Sequence, residues 1–218
     1  MFSLFGSQLG QTDRLHREIE TARERLAAGD LAGSGEVARR IYEASDRLDE
    51  QIAALMLLAD VAEAAASFDR QELLLLDARA LLDRVLPPSG MDPDAADREL
   101  RHTKLVVAYK RAFALAALAR TEEAERELAR AGPSAPLAPL SARALALVLA
   151  RRARWAELEV LLAEDLADSA LLGPRSRLLL RRLATLARRA RADAYRTAGE
   201  CEEPEVPEHR AWVDKVLC

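Results

Sequence analysis

The side chains able to do chemistry are few and scattered. The three histidines, His16, His102 and His209, stand far apart, and none has a second ligand type at the short spacing of a zinc site. Cys201, His209 and Cys218 come nearest to a metal set, but their intervals of eight and nine residues do not fit a C-x₂₋₄-C pattern. Asp92, Asp94 and Asp97 resemble the start of a calcium loop. Position six of that loop would be Asp97 where glycine is needed, and position twelve would be Thr103 where glutamate is needed. Such acids suit the first turn of a helix, where the macrodipole favours negative charge. Phosphate-binding glycine loops, HExxH and GxSxG are all missing from the sequence. The expectation is therefore a protein without catalytic residues, cofactor or metal.

Arginine is the residue whose arrangement carries most information. Residues 170–197 hold eight arginines against Asp193, whereas residues 43–100 hold fourteen acids against five arginines. Arg175, Arg182, Arg189 and Arg196 recur every seven residues, and Arg177, Arg181, Arg188 and Arg191 form a second row, with Leu179, Leu183, Leu186 and Ala190 between them. These are the solvated flanks of an amphipathic helix, and they also have the chemistry to bind carboxylates or phosphates, because guanidinium forks do so bidentately.

The elements that must position these groups are helical. Half of the residues are hydrophobic but only 4% are aromatic, and the apolar load falls on Ala and Leu, which favour helices over strands. Charged residues make up 31% of the 218-residue chain, yet the net charge is only −4, which argues against disorder and against a globally basic nucleic-acid binder. Lysine occurs only at Lys104, Lys110 and Lys215 and asparagine nowhere, a bias expected of a high-GC bacterial genome. Met1-Phe2-Ser3-Leu4-Phe5-Gly6 lacks the charge and apolar run of a signal peptide, and no stretch has the length of a membrane span. Two cysteines make no disulfide framework, so the expected location is cytoplasmic.

Apolar residues recur at helical spacing, as in Leu15, Ile19, Ala22 and Leu26, and short breaks carry start signals such as Asp69 with Glu72, Asp92-Pro93 and Gly173-Pro174. About ten helices follow, near 12–28, 34–46, 49–66, 69–86, 93–119, 121–131, 137–152, 155–168, 174–197 and 207–217. Taken in pairs, they show turns at Gly29-Asp30-Leu31, Ser67-Phe68-Asp69, Arg120-Thr121-Glu122 and Arg154-Trp155-Ala156. The interval from Thr121 to Trp155 is 34 residues, that from Leu31 to Phe68 is 37, and that from Phe68 to Thr121 is 53, lengthened by the Pro/Gly-rich insert at 86–92. Ala22, Ala59, Ala112 and Ala146 each fall nine residues before Leu31, Phe68, Thr121 and Trp155, which predicts close helix approach within every pair.

On these residues the chain resembles the tetratricopeptide repeat (TPR) family, whose period is 34. Ala112, Leu115, Ala124, Leu128, Ala131 and Pro136 match the family pattern, as do Leu55, Leu58, Ala59, Ala62 and Ala78 in the preceding repeat. Gln71 departs from the usual small residue, and Asp165 stands where alanine is expected after Leu145, Ala146, Leu149, Leu158 and Leu162. The resemblance covers residues 12–197 and implies an all-α fold, an α-solenoid of four to five stacked antiparallel helical hairpins. Residues 1–11 would form an N-terminal segment, and 198–218 an acidic linker with a capping helix around Trp212.

The function implied is a non-catalytic adaptor or scaffold that binds a partner protein or peptide on the concave face. In that register the groove would hold Asp60, Glu63, Tyr109, Phe113, Arg143, Arg151, Arg177 and Arg181, running from acidic through aromatic to basic. An acidic or phosphorylated segment suits its basic end. The Lys/Asn clamp by which some family members hold a C-terminal carboxylate does not carry over, since asparagine is missing. The alternative is a protein that associates with nucleic acid or another polyanion through the Arg-rich helix at 174–197.

Overall fold

The computed structural model describes residues 12–85, 92–163, 172, 174–197, 213, 214 and 217. Among them all regular structure is helical. α1 spans Thr12–Ala27, α2 Leu31–Ala44, α3 Leu48–Ala64, α4 Phe68–Leu82, α5 Pro93–Ala117, α6 Thr121–Ala131, α7 Ala138–Arg151, α8 Trp155–Leu162 and α9 Pro174–Thr197, with one 3-10 turn at Ala135–Leu137. The expected helix at 34–46 begins three residues earlier. The Asp30 carboxylate accepts the Gly33 backbone N–H at 2.8 Å and caps α2, so the helix takes in both Gly33 and Gly35. The expected helix at 207–217 lies largely outside the described residues.

Four of the connections are the same turn. α1 and α2, α3 and α4, α5 and α6, and α7 and α8 are each joined by three residues, of which the middle one has positive φ: Gly29 at 86°, Ala66 at 54°, Ala119 at 60° and Ala153 at 54°. The N–H of each of these residues donates to the carbonyl three back (Leu26, Glu63, Ala116, Ala150). The next N–H, from Asp30, Ser67, Arg120 or Arg154, reaches the carbonyl five back (Arg25, Ala62, Leu115, Leu149) at 2.8–2.9 Å. This is the Schellman closure, which satisfies the carbonyls that a helix end leaves open. It is made here three times with alanine in a conformation that glycine adopts at lower cost.

Burial follows the same register. Ala22, Ala59, Ala112 and Ala146, nine residues before each second helix, are all 0% exposed. So are Ser34, Gln71, Ala124 and Leu158, three residues into each second helix. The expected small residue is therefore at the same buried height in all four first helices. Helix-opening chemistry repeats as well. Arg120 forms a fork with Glu123 at 2.6 and 2.7 Å, and 34 residues later Arg154 does so with Glu157. Each fork ties the residue before the helix to its third residue, across the first turn.

The chain divides into two compact units, residues up to Arg111 and residues from Ala112, and the division falls inside α5. In the first unit α1 packs on α2, α2 on α3, α3 on α4, and α1 also on α3. Its core joins Ile19, Ala22, Val37, Ala38 and Ile41 to Ala54, Leu57 and Leu58. In the second unit α6 packs on α7, α7 on α8, α8 on α9, and α7 also on α9. There Leu147, Val148, Leu158, Leu180, Leu183 and Ala187 are buried.

Candidate functional site

The candidate residues of the first unit are joined to its framework. Asp60, on α3, is ion-paired to Lys110 on α5. One helical turn on, Glu63 accepts a hydrogen bond at 2.8 Å from the amide Nε2 of Gln71, on α4. Tyr109 is only 1% exposed, and burial raises its phenol above the ordinary tyrosine pKa. A second bridge across this unit joins Arg111 to the buried Glu72 at 3.3 Å. Sequence reasoning missed Lys110, Arg111 and Glu72. The signal available was that Lys110 is one of only three lysines.

In the second unit Phe113 and Arg143 come together, both 3% exposed. The Arg143 guanidinium carbon lies 3.9 Å from the centroid of the Phe113 ring, and its Nη1 donates to Ser176 Oγ at 2.6 Å. This is a buried cation–π contact with a hydrogen bond from the same guanidinium, linking α5, α7 and α9. With so little surface, neither side chain can present more than an edge to a partner.

Arg151, the last residue of α7, takes a role that its groove assignment did not anticipate. Its Nε and Nη2 donate to the carbonyls of Ala116 and Ala117 at 3.2 and 2.9 Å, and its Nη1 pairs with Asp214 at 2.6 Å. A cation is thus placed at the negative end of the α5 dipole, where the final carbonyls have no partner within the helix.

The remaining candidates, Arg177 and Arg181, lie on α9. Arg177 is half-buried and Arg181 exposed, and Arg175, Arg182, Arg188 and Arg189 are exposed on the same helix. Leu180, Leu183 and Ala187 bury the opposite side of α9. Its cations form the outer flank of an amphipathic helix.

Among the described residues no group of three or more His, Cys, Asp and Glu is arranged to hold a metal. His16 is exposed and His102 half-buried, while Cys201, His209 and Cys218 lie outside the described residues. Among the described residues no helix is long and apolar enough to cross a membrane. Comparison with known proteins finds no family model that matches the chain, no similar curated protein and no similar solved structure.

Proposed function

We propose that the chain is a non-catalytic adaptor, a TPR-like helical repeat that holds a partner protein or peptide on the face made by the first helices of its pairs. The observation that carries this reading is the recurrence of one turn and one buried-alanine position in four successive helix pairs. A chain built from repeated pairs closes its core pair by pair, which leaves long helix faces free of catalytic constraint and able to receive another chain. On this reading the cations of α9 around Arg177 and Arg181 are the end of the surface that receives acidic groups, because guanidinium forks match carboxylates and phosphates.

A second reading is favoured by the exposed arginines of α9 alone: association with nucleic acid or another polyanion. The two readings separate in one experiment. Affinity capture with the full chain, beside an Arg177→Glu/Arg181→Glu variant, is carried out with and without nuclease and over a salt series. The adaptor reading expects a discrete protein partner that withstands nuclease and is lost on charge reversal. Nuclease-sensitive recovery that falls steeply with salt would instead select the polyanion reading, since phosphate contacts release counterions.

A further inference from the structure

The first unit also holds a cavity that none of the candidate groove residues lines. Between α2, α3 and the start of α4 there is a cavity of about 230 Å³. Its apolar lining includes Leu31, Leu58 and Val61, and Gly35 contributes bare backbone to the wall. A Cβ at Gly35 would come 3.7 Å from a Val61 methyl, so the glycine widens the cavity by a side chain that the packing would otherwise tolerate. Small-molecule and cofactor sites run to roughly 300–1,000 Å³, so this one suits an inserted side chain better than a whole metabolite.

Two cations border the apolar surface. Arg39 comes from α2 and Arg70 from α4, and both are exposed and line the cavity. Among the described residues neither has a hydrogen bond or ion pair through its side chain, whereas Arg40 pairs with Glu18 and Arg47 with Asp49. Glu36 and Glu43 lie within one turn of Arg39 along α2, and Asp69 adjoins Arg70, but they leave the two guanidiniums unpaired. Of the residues that line the cavity only Arg39 and Arg70 are charged, and screening over about 8 Å at physiological salt weakens the influence of more distant acids.

We infer that this cavity anchors a partner segment in which one leucine-sized apolar residue is flanked by Asp or Glu side chains: the apolar group enters between Leu31, Leu58 and Val61, and the flanking carboxylates pair with Arg39 and Arg70. The inference gives the adaptor reading a specific anchor and rests on it.

The test uses the full chain, ¹⁵N-labelled, titrated with a capped heptapeptide carrying one leucine between two glutamates. The amide signals of Ala32, Gly35, Ala65 and Ser67 should shift together and saturate. Arg39→Glu/Arg70→Glu should weaken binding at least tenfold, and a peptide with lysines in place of the glutamates should bind that variant and not the wild type. Replacing the peptide leucine by glycine should cost at least tenfold as well. The proposal is overturned if the four amides do not shift, if charge reversal leaves the affinity unchanged, or if the glycine peptide binds equally well. Such a failure, with protein capture through Arg177 and Arg181 intact, would remove this anchor and leave the adaptor reading standing. Failure of the wild-type chain to capture any discrete protein, with peptide binding intact, would remove the adaptor reading and leave a cavity that binds the peptide alone.

Discussion

The Arg143 guanidinium carbon lies 3.9 Å from the centroid of the Phe113 ring while its Nη1 donates to Ser176 Oγ at 2.6 Å. Desolvated cation–π contacts are worth about 2 kcal/mol, and hydrogen bonds from a charged donor about 1.5–3 kcal/mol. Arg143→Ala is therefore expected to destabilise the chain by about 2–4 kcal/mol in chemical denaturation. A double-mutant cycle with Phe113→Leu should return a coupling of about 1–2 kcal/mol. Coupling near zero would mean that the contact is geometric only.

Ala112 and Ala146 have no exposed surface, so a larger side chain there must be taken up within the core rather than in solvent. Ala112→Leu and Ala146→Leu should each cost about 1–3 kcal/mol by overpacking, with the helices forced apart. Melting curves on the two single variants check this, and neutrality of both would remove the common register of the four pairs.

Alanine at positive φ in three of the four turns predicts the opposite sign. Ala66→Gly, Ala119→Gly and Ala153→Gly should each stabilise by about 0.5–1 kcal/mol, because relief of left-handed strain exceeds the extra unfolded-state entropy of glycine. At the fourth turn a Cβ on Gly29 would meet nothing within 4 Å, so Gly29→Ala should cost about 1 kcal/mol through its backbone alone.

Burial raises the Glu99 carboxyl above the usual carboxylate pKa. In the window between the unfolded and the raised folded value, the native state holds more of the proton. Stability on this account falls as pH rises through that window and is not regained at neutral pH. Glu99→Gln should accordingly be more stable than the wild type at pH 7 and less sensitive to pH between 4 and 7. Equal slopes of denaturation midpoint against pH for the two proteins would contradict this.

Helix existence and the shared height of the four alanines were legible because both depend on local spacing, which sequence displays directly. The turn at Gly29 is readable from glycine, but those at Ala66, Ala119 and Ala153 carry no such signature, since their left-handed residue is an alanine held by flanking hydrogen bonds. The site residues were harder. Charge and aromatic type mark Asp60, Phe113, Arg143 and Arg151 in the sequence, but not whether a neighbouring helix has already engaged them. Lys110, Ser176 and the carbonyls of Ala116 and Ala117 do so through contacts 30 to 50 residues apart in the chain. The cavity bordered by Arg39 and Arg70 left no motif, because it arises where three helices meet.

The adaptor reading is tested most directly by in-cell photo-crosslinking with a photoreactive amino acid placed at position 177 or 181 of the full chain, read by mass spectrometry. The account predicts one discrete protein adduct at both positions, with crosslinked residues next to Asp or Glu in the partner, and loss of that adduct when neighbouring Arg182 is changed to Glu. Adducts only to nucleic acid, or a diffuse set of proteins unchanged by Arg182→Glu, would contradict it.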